Sequence, residues 1–430
     1  MKQFFMGMLF IGVSWGSWAQ VYIPMDTLDS KTRQLYIKEY EGIHRDFIAQ
    51  IQLNYDKGER KQLLKTFEKV HANFIKSIDK GAFCYDNRFV SKLEEILLNI
   101  QNANPDLPKN LKILMAKQSE INAYNLGEGT IVINMGLFQY LENEDQLAGI
   151  IGHEIGHQVY NHVLQTQSRR FEIEQSKSKK AVKEVKSQKY NRGEKALGLF
   201  KETLYAEGEE RRKQELEADE KGYEIIKNTS YKPRELVRAF ELMKEYDTLR
   251  FKGLKTTIYK QVFDLPKQPF NEKWLAREDF SVYNQYKYVN TIDKDSIASH
   301  PELDERIQNL TAAGNTAATA VVSQDFLILK QIAKREQVPN LYFAEDYGAA
   351  VYISLMNIQS GEDVDYYKNW LGKLFNRIYD ARKTYKLNRY LDTVTPKTQS
   401  DSYQQYLSFM WNLSLVEVKN IADYYANLSE

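Results

Sequence analysis

Cysteine, histidine, net charge and long apolar runs are all scarce in this chain. Cys84 is the one cysteine in 430 residues, so no disulfide can form within the chain, and cysteine usage leaves the compartment open. The formal net charge is +1, which gives no overall field to draw nucleic acid or an acidic partner. Beyond the first twenty residues no stretch approaches the ~18 apolar residues of a membrane-spanning helix, so no transmembrane helix is expected in the mature chain. Histidine occurs six times, yet three of the six fall between positions 153 and 162. The rest is ordinary for a globular protein, 43% hydrophobic and 27% charged. The length suffices for a sizeable core and for two domains.

The N-terminus, MKQFFMGMLFIGVSWGSWAQ, has Lys2, an apolar run from Phe4 to about Trp15, and small residues Ser17 and Ala19 at the −3 and −1 spacing of a cleavage site. This is a signal-peptide pattern, too short to span a bilayer. Residues 1–19 are expected to be removed, which makes the mature protein secreted or periplasmic. No cysteine follows the cleavage site, so no bacterial lipoprotein anchor is expected.

Residues 30 to 100 read as helix, with Leu63, Phe67, Val70, Phe74 and Ile78 stepping at three and four residues along one face. Between 110 and 135 the period shortens. LKILMA, SEINAY and GTIVIN are short β-rich runs, and Gly127 and Gly129 supply the last turn. Asn143 with Gln146 marks the start of the next helix.

Seven lysines and one arginine stand against two glutamates between Ser176 and Lys195. With Tyr190 as the one interleaved aromatic, this run reads as a solvated helical excursion rather than a nucleic-acid or lipid contact. EERRKQELEADEKGYEIIKN and SYKPRELVRAFELMKEY follow as helices, Pro233 suiting a first turn. The small-residue stretch TAAGNTAATAVVSQD, 311 to 325, carries little periodicity and is taken as a domain boundary. Residues 20–315 form one expected domain and 316–430 an all-helical accessory domain. In the latter, Tyr347, Val351 and Leu355, and Tyr367, Leu371, Leu374 and Ile378, repeat at helical spacing and read as core.

The histidine cluster lies in the run GIIGHEIGHQVYNH. On a helix, positions four apart share a face, so His153 and His157 can aim two imidazoles at one point. Zinc accepts such nitrogens at roughly 2.0–2.1 Å. Glu154, one residue on and turned by about 100°, flanks that point and can take a proton from a water that the metal acidifies. His162 lies nine residues past His153, about 180° round a continuous helix, so it is expected to face away and to be structural. The motif needs a third ligand. ELEAD, 215 to 219, offers candidates: Glu215 and Asp219 share a face, while Glu217 points elsewhere. Glu215 can bind the metal while Asp219 holds a ligand histidine by its other ring nitrogen. His300 is the second residue of SHPELDERI, with Arg306 six residues later; taken alone, S-H-P is a helix-start turn.

HEIGH, then ELEAD some sixty residues on, then SHPELDERI, together with the lead-in INAYNLGEGTIVINMGLFQYLENEDQLAGI, resemble the zinc metallopeptidase family of HtpX, the mitochondrial Oma protease and the CAAX prenyl proteases. The resemblance runs from about 110 to 312, and the secreted form with a helical tail is most similar to the periplasmic BepA-like branch. It implies an α+β, mainly α, gluzincin-type metallopeptidase domain with a small β-sheet, followed by helices. It implies one zinc ion per chain held by His153, His157 and Glu215, with Glu154 as general base. Asp219 would pair with Arg306 and brace the two motif helices. His300 would stabilise the oxyanion, or plug the metal in a closed state. The strand near Asn122 and Ala123 would offer an edge to extended substrate.

Two departures from the family stand out. The segment between HEIGH and ELEAD is lysine-rich where membrane members are apolar, and the tail is shorter than a full repeat array. The expected activity is that of a metalloendopeptidase acting on unfolded or mislocalised polypeptides, with a protein partner possible at the helical tail. The alternative is a chaperone-like client-binding protein whose zinc site is latent or structural.

Overall fold

The computed structural model describes residues 25, 28–173, 192–249, 251–277, 303–313, 322–395 and 399–428. The leader, most of the lysine-rich run, His300 and the small-residue stretch at 314–321 lie outside the described residues.

Helices α1 (Ser30–Asn54) and α2 (Lys57–Asp79) pack as a pair. Leu63, Phe67, Phe74 and Ile78 form the buried stripe of α2, and Val70, at its margin, is exposed. Strand β1 (Phe83–Cys84) and helix α3 (Asn87–Ala103) lead to strands β2 (Lys112–Ala116), β3 (Ala123–Asn125) and β4 (Thr130–Asn134). The sheet order is β1-β2-β4-β3, with β2 and β4 parallel and the outer strands antiparallel to their neighbours.

Each strand's place follows from its composition. Four of the five residues of TIVIN are β-branched, every residue is buried, and the strand takes a central position. Ala123, Tyr124 and Asn125 are half-buried, and β3 stands at the sheet edge. Gly127 and Gly129 adopt φ of 86° and 88°, the left-handed region that the β3–β4 turn requires.

Helix α4 (Met135–Tyr140) leads directly from β4, and α5 (Glu144–Val159) carries the motif. The Asn143 side chain caps α5 by accepting from the Gln146 amide. Residues Gln146 to Gly156 are all buried, so this helix is wrapped on every side. It ends at Tyr160, and Asn161 takes φ of 55°. A further helix, α6, then covers 162–173.

Helices α7 (Arg192–Lys227) and α8 (Arg234–Leu249) pack on α5, and α9 (Thr257–Phe263) follows. Helix α10 (Leu303–Ala313) packs on α7 and α8. The tail comprises α11 (Gln324–Phe343), α12 (Tyr347–Ser360), α13 (Val364–Lys383), α14 (Asp401–Asn412) and α15 (Leu415–Asn427). The architecture is α+β and mainly helical, with one small sheet and a helical C-terminal region. Among the described residues no helix is long and apolar enough to cross a membrane.

Packing crosses the expected cut between residues 315 and 316 in both directions. Phe326, Leu329, Ile332 and Ala333 of α11 belong to the core around α3, α4 and α5. Phe138 stacks on Phe326, and Gln139 donates to the Ala333 carbonyl at 3.0 Å. Conversely, Leu254, Ile258, Tyr259, Val262, Phe263 and Trp274 join the core of the tail helices.

Candidate active site

Three glycines allow the motif helix to meet α7 almost backbone to backbone. A Cβ on Gly222 would lie 2.7 Å from the His153 nitrogen and 2.8 Å from its Cα. On Gly156 it would meet the Ala218 carbonyl at 2.7 Å, and on Gly152 the Ile226 side chain at 2.9 Å. Real Cβ atoms essentially never approach backbone so closely, so alanine at 222 must push the helices apart. Gly222→Ala is expected to cost about 1–3 kcal/mol and to lower metal occupancy, because α5 carries His153 and α7 carries Glu215. Thermal unfolding and metal content of the variant measure both; wild-type values for both would remove the close-packing argument.

This approach brings donors from two helices to one point. His153 Nε2 and His157 Nε2 lie 3.1 Å apart; Glu215 Oε2 lies 3.6 Å from the first and Glu215 Oε1 3.6 Å from the second. The two rings stand nearly perpendicular, at 86°. His153 and Glu154 are each 6% exposed. The Asn125 side chain donates to the Glu154 carbonyl at 3.3 Å, joining the edge strand to the motif.

Behind the donors sits a charged layer. Asp219 Oδ1 is 2.7 Å from His153 Nδ1 and accepts a hydrogen bond from it, which holds the ring proton on Nδ1 and leaves Nε2 with a lone pair. Arg306 of α10 grips Asp219 with two bonds, 2.6 and 2.7 Å, and reaches Glu215 at 3.1 Å. Its guanidinium lies over the Phe240 ring, 4.0 Å from the centroid. Arg306 Nη2 and His153 Nδ1 are 3.4 Å apart because both donate to the same Asp219 oxygen.

The electrostatics follow from this layer. Burial alone would neutralise Asp219, but Arg306 and His153 hold its carboxyl below the usual carboxylate range. Burial opposes charge on His153, and Asp219 outweighs it, raising the pKa. Burial and then the neighbouring His153 push His157 down to about 3. His157 is therefore a neutral imidazole at neutral pH, the form that ligates a metal.

His162 does not face away. The expectation assumed a continuous helix, whereas α5 stops at Tyr160 and left-handed Asn161 re-aims the chain. His162 Nδ1 is 2.9 Å from His157 Nδ1, its Nε2 is 3.2 Å from Glu217, and the residue is buried. It thus sits behind His157, and Glu217 sits behind His162. One signal pointed to this turn: asparagine tolerates positive φ better than other non-glycine residues. Phe240 gave no signal in the sequence beyond an apolar helix position.

Two imidazoles and a carboxylate, each oriented from behind, suit a zinc-type ion. His153, His157 and Glu215 are a group of donors close enough to share one. Comparison with known proteins bears on the same stretch. The profile of peptidase family M48 matches residues 87–313, just over half of the chain. The chain belongs to peptidase family M48.

Among M48-type relatives, it is 24% identical over 161 residues to the Escherichia coli (strain K12) metalloprotease YcaL, covering 37% of this chain and 61% of YcaL. It is 24% identical over 156 residues to metalloprotease LoiP of the same organism, 36% of this chain and 60% of LoiP. A shorter stretch of 54 residues is 35% identical to the mitochondrial metalloendopeptidase OMA1 of Arabidopsis thaliana, 13% of this chain and 11% of that protein. The chain thus spans less than two thirds of the length of each of these relatives.

Proposed function

We propose that this M48 chain is a secreted or periplasmic zinc metalloendopeptidase that cleaves unfolded or mislocalised polypeptides. The observation that carries the reading is the convergence of His153 Nε2, His157 Nε2 and Glu215, braced by the buried Asp219–Arg306 pair.

In this reading the three donors hold one zinc ion. A bound zinc acidifies water and polarises a carbonyl. Glu154 accepts the proton of the attacking water and passes it to the leaving amine. Asp219 fixes the tautomer of His153, and His162 does the same for His157 from the other side. Arg306 keeps Asp219 ionised inside a buried site and pairs with Glu215. The edge of β3 binds extended polypeptide by adding a strand, which sets the scissile bond beside α5 through the Asn125 link. His300 is assigned the oxyanion by its place in SHPELDERI. The helical tail is read as a surface for a protein partner.

Digestion of casein, an unfolded protein, tests the reading. Cleavage is expected to stop on chelation and return with zinc. Cleavage that continues in chelator would reject the metallopeptidase assignment. Stepwise release of free amino acids would reassign it to an exopeptidase. Residues 1–19 still present on the exported protein would remove the leader.

A further inference from the structure

The five described histidines occupy two clusters, and the active-site reading uses one of them. The other joins His44 of α1, His71 of α2 and Glu128 of the β3–β4 turn, residues 27 to 84 positions apart in sequence. We propose that His44, His71 and Glu128 form a second zinc-type metal site that staples the α1–α2 pair to the sheet.

The donors converge from three separate elements. His44 Nδ1 is 3.3 Å from Glu128 Oε1, and His71 Nδ1 is 3.9 Å from the same oxygen. One donor atom from each residue falls within 4.8 Å of the others. A tetrahedral ion at roughly 2.0–2.1 Å from each ligand needs donors about 3.3 Å apart, so His44 and Glu128 already have this spacing. The two rings lie face to face, 3.8 Å between centroids and 6° from parallel. To converge on an ion they must splay, closing His71 toward Glu128 by about half an ångström.

The surroundings favour a cation. All three side chains are mostly buried, Glu128 at 5% exposure. Among the described residues, the ion-pair partners of Glu128 are these two imidazoles. His71 Nδ1 is buried without a hydrogen bond, and a buried ring nitrogen left unbonded is costly. Burial lowers the pKa of His44, and Glu68 of α2 works against it as a nearby negative charge. Two histidines and a carboxylate match zinc better than calcium or magnesium, which prefer all-oxygen shells.

The turn that presents Glu128 is itself fixed. Gly127 donates to Asn125 Oδ1 at 2.6 Å, and Gly129 donates to Gln158 Oε1 of the motif helix at 3.1 Å. An ion here therefore ties α1 and α2 to the hairpin that carries the β3 edge.

The test is zinc stoichiometry of the metal-stripped full chain. Wild type is expected to bind about two zinc ions, and His153→Ala His157→Ala about one, with a zinc-dependent rise in melting temperature. Adding Glu128→Gln to that double variant should abolish both binding and the rise. His71→Phe, which keeps a ring in the stack, should likewise reduce the wild-type count to about one. The proposal is overturned if His153→Ala His157→Ala binds no zinc, which would leave a cluster that merely shares a proton. It is also overturned if Glu128→Gln and His71→Phe still bind as much zinc as wild type.

Discussion

Glu154→Gln is expected to lower peptide cleavage by about 10²–10⁴-fold, the usual contribution of a positioned general base, while leaving zinc content and folding unchanged. The side chain is isosteric, so packing around a residue with 6% exposure is kept. The backbone contact from Asn125 to the Glu154 carbonyl also survives, since it does not involve the side chain. What is lost is the ability to take a proton. The loss corresponds to about 3–5 kcal/mol of transition-state stabilisation, at 1.36 kcal/mol per tenfold.

A quenched-fluorescence peptide assay beside metal analysis reads both quantities. Retention of more than a tenth of the activity would remove Glu154 as the base. Loss of zinc together with activity would place Glu154 among the ligands. The same variant separates an enzyme from a client-binding protein. Suppression of aggregation by an unfolded client should persist in Glu154→Gln, and a chain whose only activity is binding would show no cleavage to lose.

How much of this was legible depended on whether the relevant contacts were local. His153 and His157 sit one helical turn apart, so helix geometry alone aims them together. Glu215 and Asp219 obey the same rule on α7. The lesson of His162 runs the other way. Periodicity extrapolates only while the helix continues, and a single left-handed residue at Asn161 ended it. His44 and His71 gave no signal at all, because their common partner Glu128 lies in a turn far along the chain. The β-rich runs before the motif were legible by composition, although SEINAY contributes only its last residues to β3.

Which core a helix joins was not legible either. Phe326 and Ala333 look like tail residues, yet they pack on α4 beneath the motif helix. Apolar spacing identifies a buried face without naming its partner.

The Asp219–Arg306 pair should show the largest effect on stability. Removing one member of a buried ion pair typically costs about 3–5 kcal/mol, since a charge is left without its partner. Arg306 is 3% exposed and Asp219 is 2% exposed, so neither can turn to water. Arg306→Ala leaves two carboxylates, Glu215 and Asp219, facing each other's field. Asp219→Ala leaves Arg306 with the charges of Glu215 and Glu154 and frees the His153 ring to change tautomer. Asp219→Ala should therefore weaken zinc binding more than its stability cost suggests, by about 10–100-fold for a lost outer partner.

The double variant should cost less than the sum of the singles by about 0.5–3 kcal/mol, the coupling of residues in contact. The pH profile adds an independent readout. Asp219 has its folded pKa held below the ordinary value of 3.8, so it stabilises the fold above that value. That stability is lost as pH falls through the lower folded pKa. In Arg306→Ala His153 is left to oppose burial without the guanidinium, so the carboxyl rises relative to wild type and acid unfolding should begin at higher pH. Arg306→Met, which keeps an apolar stem over Phe240, controls for lost packing. Denaturant unfolding of the metal-free proteins from pH 3 to 7 measures all of this. Full additivity, or an acid limb unmoved in Arg306→Met, would mean that the pair is a bystander and that Glu215 alone holds Arg306 in place.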